Sequence, residues 1–454
     1  MITSLNELRA VLGLAPEENN PLVESLSLDS RMLGPNSVFI ALKEGEAFIE
    51  EAKHKACVGI LKESEIPNLR DRLSALANVS YPLSQDLRII GVTGTNGKTS
   101  VAYFIAELLN SLNRPCTYLG TLNAPLTTPD RITLGKMIHE AQTAQVALEI
   151  SSHALEQNRI QDLPIQVGVF TNLTQDHLDY HLRMESYAEA KAKLFRLPSL
   201  KLAVLNREDP YFSFFKNSLH SSCSLLSYGF SPSADIFIES LQRTPSHTLL
   251  RIQTPRGKFE TQTSLMGDFN GLNLLAMIGA VWDQTISLDE LAKTIPQLKP
   301  PPGRMELHIL KNGARVIIDY AHTPDALEKV LRTLRPYTPG KLYCVFGCGG
   351  NRDPGKRSLM GRIAEQLSDL VILTQDNSRF ENPSQIFAQI LSGFTRSKPW
   401  VIPDRAEAIH FACKNLNPQD TLLLSGKGHE LYLDIQGKKI PFDERIFLQN
   451  FKKS

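Results

Sequence analysis

Cysteine is scarce: six residues in a chain of 454, none in a C-x-x-C pair. That excludes a disulfide framework and lacks the spacing of a structural zinc site. Cys344 and Cys348, inside a Gly-rich turn, read as incidental. Charge of one sign is missing too, since 49 Lys and Arg nearly cancel 48 Asp and Glu. No bulk field is present to collect nucleic acid or an anionic membrane. No run approaches the ~20 apolar residues of a membrane span. The start, Met1-Ile2-Thr3-Ser4-Leu5-Asn6-Glu7, has neither the basic nor the apolar region of a secretory signal. Internal repeats and low-complexity tracts are absent. What is present is 42% apolar and 21% charged residues, a mix that supports sizeable cores. The length is about three times the ~150 residues of one domain. The expectation is a soluble, cytoplasmic, multidomain protein with no nucleic-acid partner and no membrane insertion.

Three segments read differently. Residues 1–85 mix short apolar runs such as Val38-Phe39-Ile40-Ala41-Leu42 with helical patterns. From Arg88 a buried strand, a Gly-rich turn and a helix from Thr99 to about Leu112 follow one another. Further strands are expected at 146–150, 167–170 and 202–205, with helices between them, which predicts a mostly parallel α/β sheet. Pro300-Pro301-Pro302-Gly303 is the clearest linker. After it the alternation restarts, with strands at 316–319, 342–346, 370–373 and 421–424 and helices from Pro324 and about Lys356. That pattern predicts an open doubly wound sheet. The segments are 1–85, 86–301 and 302–454.

Gly94-Thr95-Asn96-Gly97-Lys98-Thr99-Ser100 stands between the strand at Arg88 and its helix, the setting a phosphate loop requires. Glycines let backbone N–H groups face phosphate oxygens, and the helix N-terminus adds its positive end. Lys98 is expected against the β/γ-phosphates and the Thr99 hydroxyl on Mg²⁺. The strict pattern departs once, because Val92 occupies the place of the first glycine.

This variant loop resembles that of the Mur ligase family, ATP-dependent enzymes that build the peptidoglycan peptide. Other stretches resemble family motifs in the family's order: Glu149-Ile150-Ser151-Ser152-His153, Thr171-Asn172 through His181, and Ala190-Lys191-Ala192-Lys193-Leu194-Phe195. So do Gly303-Arg304-Met305-Glu306, Asp319-Tyr320-Ala321-His322-Thr323-Pro324 and Gly426-Lys427-Gly428-His429-Glu430. Within the family, Phe346 through Asp353 and Asp376-Asn377-Ser378-Arg379 resemble the branch that adds the third amino acid. The resemblance spans about residues 25–430. It implies a small α/β nucleotide-sugar-binding domain, a central P-loop ATPase-like parallel-sheet domain and a Rossmann-like C-terminal domain.

It also implies a reaction and roles. ATP would phosphorylate the D-glutamate carboxylate of UDP-MurNAc-L-Ala-D-Glu, and the amine of meso-diaminopimelate would attack the acyl phosphate, in cytoplasmic peptidoglycan precursor synthesis by a monomer. Two Mg²⁺ ions are implied, with Thr99, Glu149, His177 and Lys191 as ligands, Lys191 as a CO₂-derived carbamate. Lys98, Glu149, His177 and Lys191 form the implied catalytic set. Lys191 and Lys193 lie roughly 200° apart around a helix, so only one can face the site. Ser30, Thr127, Thr128, Ser151, Gln157 and Arg159 resemble contacts to the UDP-MurNAc-peptide. Asn270 and Asn273 match the adenine side, or else cap their helix; Arg304 would reach ATP phosphate and Asp319 the ribose. Arg352, Asp376, Asn377, Ser378, Arg379, Gly426 and Glu430 would hold the incoming amino acid.

Two departures stand out. Lys43-Glu44-Gly45-Glu46-Ala47-Phe48-Ile49 lacks the family's Asp-Gly-His segment, and Ser378 replaces a Pro usual in diaminopimelate-adding members. Competing readings are L-lysine as acceptor, a sister Mur or folylpolyglutamate-type ligase, and a regulatory P-loop ATPase. The last leaves Lys191, His177 and the third segment unexplained.

Overall fold

The computed structural model describes residues 3–55, 57–160, 162–244 and 247–451, and of Leu178 and Asp179 the backbone alone. Tertiary contacts group the chain into two compact units. The first takes in residues 1–237, 253–257 and 272–291, and the second residues 238–252, 258–271 and 292–454. Among the described residues no helix is long and apolar enough to cross a membrane.

In the first unit, β1 (Ser25–Ser27), β2 (Ser37–Ala41) and β3 (Gly59–Lys62) form a small parallel sheet. Within the stretch 43–49, residues Lys43–Phe48 coil into a 3₁₀ helix one residue past β2. The larger sheet includes β4 (Arg88–Thr93), β5 (Cys116–Leu119), β6 (Gln145–Glu149), β7 (Ile165–Phe170), β8 (Leu202–Asn206) and β9 (Ser224–Gly229). Their order is 9-8-7-4-6-5, all parallel. Continuous apolar runs, such as Ile89 and Ile90 in β4, are buried because both faces of a parallel sheet are covered. The chain winds from β4 toward β6 on one side and β7 on the other. The end of β4 is therefore the switch point where such sheets open a crevice.

Helix α1 (Lys98–Ser111) starts there, α2 (Arg131–Ala141) precedes β6 and α3 (Met184–Phe195) precedes β8. The helix expected from Thr99 thus begins one residue earlier.

In the second unit, β10 (Glu306–Ile309) lies antiparallel to β11 (Arg315–Asp319). The remaining strands, β12 (Leu342–Phe346), β13 (Leu370–Leu373), β14 (Trp400–Val401) and β15 (Thr421–Ser425), run parallel in the order 10-11-15-12-13-14. Helix α4 (Pro324–Leu334) shows how the sequence builds the layers. Thr323 caps it by accepting the Ala326 N–H at 3.3 Å, Pro324 fits the first turn, and Leu327, Val330, Leu331 and Leu334 bury one face. Helix α5 (Gly355–Leu367) follows β12. The functional segments after β11, β12, β13 and β15 all leave from carboxyl ends of parallel strands. All six cysteines are free thiols, with Cys344 and Cys348 buried.

Candidate functional site

In the first unit, Gly94 (φ 148°) and Gly97 (φ 87°) take backbone conformations that side-chain-bearing residues rarely adopt. A Cβ on Gly94 would lie 1.9 Å from Thr171 Oγ1, and one on Gly97 2.7 Å from Asn273 Oδ1. The Thr95 N–H donates to the Asn172 carbonyl at 2.8 Å and the Asn96 N–H to Asn172 Oδ1 at 2.9 Å. These two amides, expected to face phosphate, are therefore held by Asn172. The amides available to an anion are those opening α1. Asn172 was missed as a loop anchor, although it stands in a motif stretch.

Lys98 Nζ folds over the loop, donating to the Gly94 and Thr95 carbonyls at 2.9 Å each. Thr99 Oγ1 donates to Glu149 Oε2 at 2.9 Å. Glu149 is fully buried at the end of β6. Its carboxylate also accepts from the Thr121 N–H at 2.9 Å, the Thr121 hydroxyl at 3.3 Å and the Tyr118 hydroxyl. Its backbone carbonyl accepts from Thr128 Oγ1 at 2.8 Å, and that hydroxyl accepts the Ser151 N–H at 3.0 Å. Tyr118, inside β5, and Thr121, just after it, carry no sequence signal.

Helix α3 turns Lys191 inward at 1% exposure, on the face shared with Tyr187 and Leu194. Its Nζ donates to the Gly94 carbonyl at 2.9 Å and lies 4.5 Å from the Tyr187 ring centroid. Burial, then repulsion from Lys98, push the ammonium well below the usual lysine range, with Asp176 opposing. Lys193 points outward, its side chain 41% exposed and 3.0 Å from Glu156. His177 takes a left-handed backbone (φ 53°), with Nε2 3.4 Å from Asp176 Oδ2 and its ring 5.0 Å from His153. His181 Nε2 lies 2.8 Å from Ser152 Oγ, and burial, followed by His153, lowers its pKa.

Among the described residues no three His, Cys, Asp or Glu side chains gather as a metal cage. The donors brought together are of another kind. The adjacent hydroxyl of Thr99 and carboxylate of Glu149 are hard oxygens that suit Mg²⁺. Lys191 lacks an oxygen and becomes such a donor only when modified.

On the substrate side, Ser151 caps the helix Ser152–Glu156 by accepting the Ala154 N–H at 3.2 Å, and Thr127 Oγ1 lies 3.1 Å from Thr121 Oγ1. Arg159 donates to Gln157 Oε1 through Nε and Nη2 at 3.0 and 2.6 Å, and through Nη1 to the Thr128 carbonyl at 2.7 Å. Burial lowers the Arg159 pKa. Gln157 and Arg159 line a cavity of about 180 Å³ that also meets Leu28, Leu42, Arg70 and Arg131. Arg131 escaped the sequence reading. It is 2% exposed, donates to Asn78 Oδ1 at 2.6 Å, and burial pulls it down to about 10. Ser30 is engaged elsewhere, its hydroxyl donating to Glu51 at 3.0 Å.

In the second unit, the Arg304 guanidinium lies 4.8 Å from the Tyr320 ring centroid, and its buried Nε has no hydrogen-bond partner among the described residues. Asp319 accepts the N–H groups of Met305 and Ala321, each at 2.8 Å. Burial raises its pKa against the pull of Arg304. Asn270 Nδ2 donates to the Met266 carbonyl at 2.8 Å.

After β13, Asp376 Oδ1 accepts the Asn377 N–H at 2.6 Å, and Asn377 Nδ2 donates to Glu430 Oε2 at 2.8 Å. Ser378 is 2% exposed, with its hydroxyl 3.0 Å from Gln375 Nε2. Arg379 takes a left-handed backbone (φ 49°), and its Nη1 donates to the Gly350 carbonyl at 2.8 Å. Its N–H bonds the Asp434 carbonyl at 2.9 Å and its carbonyl the Gln436 N–H at 2.7 Å, so the segment is anchored without proline. Gly426 (φ 113°) brings backbone against Asp376, where a Cβ would sit 2.7 Å from Oδ2. Arg352 is exposed.

Fold and site together define an α/β phosphate-loop protein. The chain belongs to the Mur ligase family: residues 92–281 match the Mur ligase middle domain and residues 303–428 the Mur ligase glutamate ligase domain. It is 40% identical to the UDP-N-acetylmuramoyl-L-alanyl-D-glutamate–2,6-diaminopimelate ligase of Ectopseudomonas mendocina, over 95% of this chain and 96% of that protein. The ligase of the same name from Geobacillus kaustophilus is 37% identical over 94% of each chain. A solved structure of a UDP-N-acetylmuramoyl-L-alanyl-D-glutamate–2,6-diaminopimelate ligase superposes with a TM-score of 0.68 at 35% identity, covering 99% of this chain and 98% of that one. MurF from Acinetobacter baumannii shares the fold, with a TM-score of 0.70 at 17% identity over 99% and 98% of the two chains.

Proposed function

We propose that this chain joins meso-diaminopimelate to the D-glutamate of UDP-MurNAc-L-Ala-D-Glu with ATP, as a cytoplasmic step of peptidoglycan precursor synthesis. The observation that carries this reading is the 40% identity over 95% of the chain to a ligase named for these substrates. On this reading the segments 1–85, 86–301 and 302–454 hold the nucleotide sugar, ATP and the amino acid in turn, within one monomer.

The reaction has two displacements. A D-glutamate carboxylate oxygen attacks the γ-phosphorus of ATP, and the bond to the β-phosphate oxygen breaks. The acceptor amine then attacks the acyl carbon, loses a proton, and phosphate departs from the tetrahedral intermediate. Negative charge on phosphoryl oxygens is the quantity to be stabilised in both. Lys98 and the first amides of α1 supply fixed positive ends for it, with Thr95 and Asn96 tied to Asn172 so that the loop need not reorganise.

Two Mg²⁺ ions, when bound, would neutralise phosphate charge; Thr99 and Glu149 would hold one, and His177 and a carbamate on Lys191 the second. A buried, charge-repelled Lys191 is neutral over more of the pH range than a surface lysine, and the neutral amine is the form that takes up CO₂. Gln157 and Arg159 lie on a cavity whose apolar walls and guanidinium suit a uridine diphosphate. Arg304 and Asp319 would serve ATP, and Arg379 the distal carboxylate of the acceptor.

Phosphate release from ATP, measured with the UDP-muramoyl dipeptide and a panel of amino acids, tests the reading. Release that requires meso-diaminopimelate and yields the tripeptide by mass is the expected result. Release independent of both acceptor and dipeptide would instead mark an ATPase.

A further inference from the structure

Lys427 sits inside the stretch Gly426-Lys427-Gly428-His429-Glu430, yet none of the roles above uses it. It is the most unusual lysine of the second unit, with 0% exposure of its side chain. A buried ammonium is retained only where anions and acceptors surround it. Here Nζ donates to Glu430 Oε2 at 2.7 Å and to Asn377 Oδ1 at 2.9 Å, and Asp376 Oδ1 lies 3.9 Å away. The Tyr432 ring closes the remaining side at 5.2 Å.

The pattern of used and unused oxygens is informative. Glu430 Oε2 accepts twice, from Lys427 and from Asn377 Nδ2 at 2.8 Å, whereas Oε1 accepts from none of the described residues. Asp376 Oδ1 takes the Asn377 N–H at 2.6 Å, whereas Oδ2 accepts from none of the described residues and lies against Gly426. Asn377 Oδ1 is saturated by Lys427 and the Asp434 N–H at 2.8 Å. Two carboxylates therefore share one ammonium, which leaves a single negative charge and one unused oxygen on each.

We propose that Lys427 is a positioning residue for acceptor choice, holding Glu430 and Asp376 as a receptor of net charge −1 for the second ammonium of the incoming amino acid. This rests on the reading of diaminopimelate as acceptor. Without Lys427 the two carboxylates repel each other and Glu430 loses its orienting donor. With it, their orientation is fixed before the substrate arrives, so less ordering is needed on binding. The same charge balance rejects an acceptor that brings only a carboxylate to this place.

The test compares wild-type protein with Lys427→Met and with the double variant Lys427→Met/Glu430→Gln, which removes the buried pair together. Ligation is followed with meso-diaminopimelate and with 2-aminopimelate, which keeps the distal carboxylate but lacks the distal ammonium. Lys427→Met is expected to raise KM for meso-diaminopimelate about ten- to a hundredfold, with KM for ATP and for the dipeptide unchanged. The already weak use of 2-aminopimelate, which has no ammonium to place there, should change far less. The double variant should recover thermal stability without recovering meso-diaminopimelate affinity. If both acceptors weaken in parallel with a fall in Tm, or if the double variant restores meso-diaminopimelate use, Lys427 is a structural ion pair and the proposal fails. Failure of wild-type protein to use meso-diaminopimelate at all would overturn the acceptor assignment itself, a separate outcome.

Discussion

Lys98 and Lys191 meet at one atom: the Nζ of each donates to the Gly94 carbonyl oxygen at 2.9 Å. Two ammonium-bearing side chains around one acceptor repel, and that repulsion is second only to burial in lowering the Lys191 pKa. The lysine of the phosphate loop thereby favours the neutral form of the lysine to be modified.

Replacing Lys98 by Ala should remove most ligation, by about 100- to 1000-fold in kcat, as expected for losing a fixed charge on developing phosphoryl charge. Circular dichroism and Tm should change little. A folded variant that ligates near the wild-type rate would remove Lys98 from the reaction.

Lys191 should carry a carbamate in the active protein. ¹³C NMR of protein equilibrated with ¹³C-bicarbonate should show a carbamate signal that Lys191→Ala lacks. That variant should be nearly inactive, with partial recovery on adding short carboxylic acids. Full activity after stripping bicarbonate would exclude the modification as a requirement.

Arg379→Ala should impair meso-diaminopimelate use by about 2–5 kcal/mol in kcat/KM, the range for truncating one partner of a buried charge pair. Arg379→Lys should recover little, because an ammonium cannot present two parallel donors to a carboxylate. L-lysine outperforming meso-diaminopimelate with wild-type protein would contradict the role given to Arg379.

Glu306 gives a pH prediction. Burial works against its ionised form, but hydrogen bonds from His308, Arg445 and the Gly303 N–H outweigh it and bring the pKa to about 2. A depressed carboxyl stabilises the fold above its unfolded pKa, and that contribution disappears as pH falls from about 4.5 toward about 2. Denaturant melts at pH 7 and pH 3 should show Glu306→Gln costing more at pH 7; equal losses at both would place the stabilisation elsewhere.

Local signals in the sequence located much of this architecture. Continuous apolar runs marked β4, β12 and β13 because parallel strands are buried on both faces. Helical geometry put Lys191 and Lys193 on different faces, since residues two apart in an α-helix differ by roughly 200°, while the choice of Lys191 rested on the family resemblance. What escaped was set by contacts between distant stretches. Tyr118 and Thr121 reach Glu149 only because β5 lies beside β6. Arg131 lines the cavity because α2 brings it to Asn78, 53 residues earlier in the chain. The 3₁₀ turn after β2 and the Asn172 anchor are likewise consequences of packing, with no periodicity of their own.

Glu149 gathers donors from α1, from β5 and the turn after it and, through its carbonyl, from Thr128. For an inhibitor seated on this residue, escape by substitution is narrow. A replacement that cannot accept hydrogen bonds also releases Thr99, Thr121 and Tyr118 together. Resistance would have to arise at positions further out, which makes the end of β6 a durable anchor for compound design.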